Sequence, residues 1–191
     1  MPLRSIPTAL AAAAALALAG CDDLLGLGSA DPNAVGSLSF QYSGARTGAF
    51  RARGPVPDEM EGSYAASYES FDDLTLSAFN ATSGGRGDYV VLVSGILEPG
   101  ETATACLGSG FPTAHCFIGT VVFNLDPNDP DGPGRERYLI TSGQLRVTGK
   151  SSRGIAGTFS GSAVGGGGAR ITIVAGRFDA PQRPDAPVLP D

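Results

Sequence analysis

The chain has 191 residues, with 19 acidic and 13 basic side chains, a formal net charge of −6, 28 glycines and no tryptophan. This length suits one domain with a single hydrophobic core. Lys150 is the only lysine, and the arginines form no basic cluster. The composition therefore argues against a nucleic-acid partner and against adhesion to anionic lipid through charge.

The amino-terminal segment is typical of an export signal. Arg4 precedes an unbroken run of alanine and leucine over residues 9–19, which fits the h-region of a signal peptide. The run is too short to stay in a membrane as a helix, which needs about 20 apolar residues. It ends in Leu18-Ala19-Gly20-Cys21. This sequence resembles the lipobox of bacterial lipoproteins, in which Leu and two small residues precede the modified Cys.

The resemblance implies that residues 1–20 are a signal peptide and that Cys21 is the site of lipid attachment. Such proteins carry diacylglycerol on the thiol and usually a further acyl chain, such as palmitate, on the new amino group. Because two or more acyl chains anchor a protein stably, we expect the mature chain in the cell envelope. It would lie on the outer side of the cytoplasmic membrane or on the outer membrane. An ordinary secreted protein with a free Cys21 is the alternative.

Composition divides the rest of the chain into three parts. Residues 21–35 are small, polar and interrupted by Gly and Pro, which predicts a flexible tether. Residues 36–180 are predicted to form a single β domain. Residues 181–191 carry proline at every third position from Pro181, and because proline cannot donate to a β ladder they are predicted to be a disordered tail.

Alternation of apolar and polar residues predicts the strands of this domain. The apolar positions that share a parity are Leu38, Phe40 and Tyr42; Leu74, Leu76 and Ala78; Phe117, Val121, Phe123 and Leu125; Leu145 and Val147; and Ile155, Phe159 and Ala163. Turn residues between these runs indicate eight to ten short strands. The predicted fold is all-β, an antiparallel sandwich or barrel, and the periodicity favours neither of the two.

Three segments depart from simple alternation. Tyr89–Val93 is apolar on both parities, which predicts a strand covered on both sides. Ile171 and Ile173 differ in parity from Phe178, so the register must shift between them, and a β-bulge at Gly176 is expected. Residues 59–70 favour a strand over a short helix.

The C-terminal third shows a second resemblance. Residues 138–181 contain Ser-Gly-Gln-Leu-Arg-Val, then Gly-Thr-Phe-Ser, then Ile-Thr-Ile-Val-Ala-Gly-Arg-Phe-Asp. This pattern resembles the last strands of a group of small β-rich bacterial lipoproteins of uncharacterised function. The residues themselves predict a three-stranded meander with a glycine at the entry or bulge of each strand. The resemblance supports the fold and the envelope compartment, and it implies no activity.

Catalytic patterns are poorly represented. His115 is the only histidine, and no Gly-x-Ser-x-Gly nucleophile elbow occurs. The glycine run 165–168 lies between two strand patterns, which favours a hairpin loop over a phosphate-binding loop. Acidic groups at 58–61 and 72–73 are interpreted as solvated turns. We therefore predict no enzymatic activity, no catalytic residue and no cofactor.

Two local patterns predict sites in the mature chain. If lipid occupies Cys21, then Cys106 and Cys116 remain as an even pair in an oxidising compartment, and the turn-forming residues between them favour a disulfide. Asp126, Asn128, Asp129 and Asp131 place oxygen ligands close together, as calcium prefers. Their spacing misses the EF-hand pattern, so an acidic turn is the favoured interpretation and calcium the alternative.

Three functions stay open on the sequence. The first is an envelope module that binds a protein, glycan or lipid, or is structural, through strand edges or loops. The second is a carbohydrate-active or other hydrolase that uses pairs of Asp and Glu. The third is a carrier with an apolar interior for a small ligand. The expected partners are the membrane, through covalent lipid, and an unidentified envelope protein, glycan or small ligand.

Overall fold

The computed structural model describes residues 34–56, 62–70, 72–106 and 115–183. Ten strands account for 74% of them: β1 (Val35–Gly44), β2 (Gly48–Pro55), β3 (Tyr64–Ser70), β4 (Asp73–Ala81), β5 (Gly87–Gly95), β6 (Thr102–Ala105), β7 (Cys116–Leu125), β8 (Glu136–Ser151), β9 (Gly154–Gly165) and β10 (Arg170–Arg183). Two single 3-10 turns, Ser83–Gly85 and Gly166–Gly168, join neighbouring strands. The prediction of an all-β fold with eight to ten strands is confirmed.

Hydrogen bonds close eight of the strands into a barrel-like ring in the order β3-β4-β5-β7-β6-β8-β9-β10, with β10 returning to β3. The hairpin of β1 and β2 is attached outside this circuit, because β1 pairs with β10 and β2 pairs with β1. Strands β8, β9 and β10 form the meander that the C-terminal pattern predicted. Two short pairings, β3 with β10 and β6 with β7, are parallel, which departs from a fully antiparallel sheet.

Strand β10 continues past the predicted boundary at residue 180. Pro181 pairs with Gly154, and although Pro181 has no N–H to donate, the N–H of Gln182 donates to the carbonyl of Arg153 at 3.0 Å. Gln182 and Arg183 then pair with β3, which closes the ring. Pro181 therefore removes one backbone hydrogen-bond donor from this strand, but the strand continues to Arg183. Val35, the last residue of the predicted tether, is the first residue of β1. The rest of the tether before residue 34 and most of the predicted tail lie outside the described residues.

The expected β-bulge is present, with one difference. Ile171, Ile173 and Phe178 are all buried, and the pairing with β9 shifts between Ile173 and Gly176. The residue with the left-handed backbone is Ala175, at φ +53°, rather than Gly176. Gly176 is required for close approach instead, because a Cβ there would lie 2.4 Å from the carbonyl oxygen of Phe159.

Large side chains fill the inside of the ring. Phe40 stacks on Phe50 with ring centroids 5.0 Å apart and meets the edge of Phe159 at 5.6 Å. The predicted apolar positions on β1, β4, β7, β8 and β9 are buried in this core, with two exceptions. Tyr42 is half-buried and packs against the core, and Leu125, which was predicted to share a face with Phe123, is buried in a separate group. At one end, the Arg46 guanidinium lies 4.5 Å from the centre of the Phe123 ring. The interior is thus a packed core.

Candidate functional site

The outer surface of the ring differs between its two halves. On β9 and β10 most outward residues are polar and exposed, among them Thr158, Ser160, Thr172 and Arg177, and Val174 is an exposed apolar exception. This is the usual pattern for a sheet with one face in water. On β3, β4, β5 and β7, many outward residues are apolar or aromatic. The outer face of β3, β4, β5 and β7 is therefore more apolar than is usual for a sheet face in contact with water.

One row of paired residues forms a buried group on this outer face. Tyr64 pairs with Phe79, Phe79 with Tyr89, and Tyr89 with Val122. With Ala66 and Leu125 they form what we call the outer cluster, which is separate from the core inside the ring. Burial raises the pKa of both tyrosines, that of Tyr64 to about 12.

Next to the outer cluster lies a groove of about 240 Å³ across β5, β7 and β8. We call it the apolar groove; its lining includes Val91, Val93, Cys106, Ile118, Arg137 and Leu139. Ile118 and Leu139 keep 42% and 47% of their surface exposed. Single exposed apolar residues are common, whereas a contiguous apolar surface is typical of a binding site.

The sequence predicted part of this surface. The apolar run in β5 is covered on both sides at Tyr89 and Val90, which belong to the outer cluster and the core respectively, as predicted. Ile118 and Leu139 were not singled out. Each is an apolar residue on the outward parity of its strand, a signal that the sequence contains, but strand pairing was needed to place them on one face.

The disulfide between Cys106 and Cys116 is present, with Cα atoms 5.6 Å apart, which confirms its prediction. It joins the end of β6 to the start of β7, where the Cys106 N–H also donates to the Phe117 carbonyl at 3.0 Å. Because Cys106 also lines the apolar groove, the bond fixes one side of that groove.

Removal of this disulfide gives the first expected result. The double variant Cys106→Ser and Cys116→Ser should lose roughly 2–3 kcal/mol of unfolding free energy, because the loop it closes is short. Urea unfolding followed by circular dichroism measures the loss. The matched control is the unaltered protein under reducing conditions, which should show the same loss. Equal stability of all three samples would contradict the expectation.

One ionic cluster was missed by the sequence analysis. The Lys150 Nζ lies 3.1 Å from a carboxylate oxygen of Glu69 and 3.0 Å from one of Glu98. Burial lowers the pKa of Lys150, but the two carboxylates outweigh it and raise the pKa overall. Lys150 is therefore held protonated and ties β8 to β3 and to the segment after β5. These three residues are far apart in the sequence, so no local sequence pattern could predict their contact.

The remaining predicted groups do not converge. The backbone carbonyl of His115 accepts a hydrogen bond from the Thr104 N–H, and its side chain is exposed. Asp72 and Asp73 lie at the turn between β3 and β4, and Asp73 pairs with Gly95. Acidic residues 58–61 lie outside the described residues.

The acidic loop after β7 forms a turn stabilised by its own groups. Asp126 accepts a hydrogen bond from the Asn128 N–H at 3.0 Å and lies 3.7 Å from Arg86. Asp131 pairs with Arg135 at 2.8 Å. Within the part of the chain that the structure describes, no three acidic, His or Cys side chains gather as a metal site.

Cys21 lies outside the described residues, so its lipidation stays a prediction. In the described ranges there is no helix with the length and apolar character needed to cross a membrane. No family model, no curated protein and no solved structure matches this chain.

Proposed function

We propose that this protein is a lipid-anchored extracytoplasmic binding module, held in the cell envelope by Cys21, which binds an envelope protein through the apolar groove. The observation that carries the proposal is the exposed apolar side of Ile118 and Leu139 in a groove on the outer face. Covering apolar surface contributes about 25 cal/mol per Å². A protein partner with an apolar segment is the simplest ligand for such a groove.

Charge adds one requirement to the partner. Arg137 lines the groove and is exposed, and it has no ion-pair partner among the residues that the structure describes. A partner segment with a carboxylate beside its apolar residues would satisfy both features of the surface. Charge complementarity of this kind contributes mainly to specificity and association rate.

The arrangement of charged groups gives no support to the hydrolase alternative. Among the described residues, Glu69 and Glu98 are brought together by their contacts with Lys150. A lysine held protonated is neither a base nor a nucleophile. Retaining and inverting glycosidases need two carboxyl groups facing a substrate across a cleft. We propose that the module is not an enzyme and uses no cofactor.

The carrier alternative requires an apolar hollow inside the ring. Phe40, Phe50 and Phe159 meet there at contact distance, and the aliphatic side chains around them are buried. Ligand cavities usually measure several hundred Å³. Recognition on the outside of the ring agrees better with this filled interior.

Site-specific crosslinking in cells tests the proposal. A photoreactive benzoylphenylalanine in place of Leu139 should yield a defined crosslinked protein species on illumination. The same group in place of Thr158, which is exposed on the polar outer half, is the matched control and should yield none. An Arg137→Glu change should reduce the yield several-fold. Equal crosslinking from both positions, or none from Leu139, would overturn the proposal.

A further inference from the structure

The last strand delivers the chain to the outer face that carries the groove. Arg183, the final residue of β10, pairs with Tyr68, Tyr68 with Thr75, Thr75 with Val93, and Val93 with Ile118. Directly paired residues share a face of a sheet. Arg183 therefore stands at one end of a row that leads across β3, β4 and β5 to the apolar groove.

Electrostatics agree with this placement. Burial is the main cause that raises the pKa of Tyr64 in the outer cluster, and the positive charge of Arg183 opposes that rise. This influence agrees with the pairing of Arg183 with Tyr68, which places Arg183 on the outer side of the ring. The chain leaves β10 beside the outer cluster rather than toward the core.

Residues 184–191 have the length needed to cross this row. From β10 to β7 there are four strand spacings of about 4.8 Å, or about 19 Å in all. A proline-rich extended segment advances about 3.1 Å per residue. The sixth residue after Arg183, Leu189, would therefore reach the level of Ile118.

The chemistry of the segment matches the groove. Residues 184–191 read Pro-Asp-Ala-Pro-Val-Leu-Pro-Asp, so two adjacent apolar side chains, Val188 and Leu189, are flanked by acids. Ile118 and Leu139 offer the apolar surface, and Arg137 offers the positive charge. Prolines restrict the free segment, so less conformational entropy is lost on docking.

We propose that residues 184–191 of this chain occupy the apolar groove, with Val188 and Leu189 packed against Val93, Ile118 and Leu139. The segment then covers the surface that an envelope partner would use. A partner can therefore bind the groove only if it displaces this segment, which requires that its affinity exceed that of the segment. This consequence for regulation rests on the proposed function, whereas the docking itself does not.

The test uses the full chain returned to phospholipid vesicles at low protein density, without other proteins. With benzoylphenylalanine in place of Ile118, illumination should produce an intrachain crosslink that peptide mass spectrometry assigns to residues 186–190. Leu189→Ser should lower its yield several-fold, while Ala186→Ser, the matched control in the same segment, should leave it unchanged. The photoreactive group in place of Thr158 should give no crosslink to this segment.

Each other outcome overturns the proposal. A crosslink confined to residues 107–114 would mean that the segment closed by the disulfide covers the groove. A crosslink between two molecules would identify a second copy as the occupant, and no crosslink would leave the groove open to solvent. Because no partner is present, these failures are independent of the cellular crosslinking from Leu139, which tests the proposed function alone.

Discussion

Replacement of Cys21 by serine is expected to release the protein from membranes. A serine hydroxyl does not accept the diacylglycerol that the lipobox resemblance implies, and cleavage before residue 21 depends on that modification. One acyl chain binds membranes only marginally, whereas two or more anchor a protein stably. The variant should therefore accumulate as an uncleaved or misprocessed precursor without lipid. Detergent phase partitioning and the mass of the amino-terminal peptide measure the change.

The double variant Cys106→Ser and Cys116→Ser is the matched control for this experiment. It also loses cysteines, but it keeps the one at the predicted processing site, so it should still partition into detergent and carry acyl mass. An unmodified Cys21 in a mature, water-soluble product of the unaltered chain would contradict the lipid anchor. The groove on the folded domain would be unaffected by that result.

Truncation of Phe40 is expected to cause a large loss of stability. Phe40 is 2% exposed and contacts the rings of Phe50, Phe159 and Tyr42. Replacing a buried Phe by Ala costs about 3–5 kcal/mol, because apolar contact is lost and a cavity remains. A domain of this kind has only about 5–15 kcal/mol in total. Urea unfolding of Phe40→Ala measures the loss.

Two controls separate packing from chemistry at this position. Phe40→Leu keeps most of the apolar volume and should cost less than half as much as Phe40→Ala. Thr158→Ala removes a polar group from the exposed face of β9 and should change stability by no more than about 0.5 kcal/mol. Equal losses for Phe40→Ala and Phe40→Leu would contradict a tightly packed ring interior.

Local patterns sufficed for the strands because alternation is a property of neighbouring residues. Leu38 and Phe40 are buried as their parity predicts, and the shift between Ile173 and Phe178 located the bulge. The bulge residue itself was missed, since a left-handed Ala175 breaks the usual preference for glycine. The disulfide was predictable because Cys106 and Cys116 are the pair that remains if Cys21 carries lipid, as the lipobox resemblance implies.

Ring closure and the groove were beyond such patterns because both depend on partners far apart in sequence. Closure needs Gln182 and Arg183 to pair with β3, in a segment whose proline indicated a tail. The groove brings Val93, Ile118 and Leu139 together from three strands. Lys150 meets Glu69 and Glu98 only after folding. A single sequence gives parity along each strand, but not which strands are neighbours.

The triple pairing of β10 has a consequence for how the domain matures. This strand forms ladders with β9, β1 and β3, so the hairpin of β1 and β2 has no sheet to join until the last strand arrives. An isolated hairpin is only marginally stable, and chains emerge from synthesis amino-terminus first. The first hairpin must therefore wait, without a sheet to join, until nearly the whole domain has been made. A chain truncated before β10 lacks all three ladders at once. Truncated chains should therefore be more susceptible to proteolysis than complete ones.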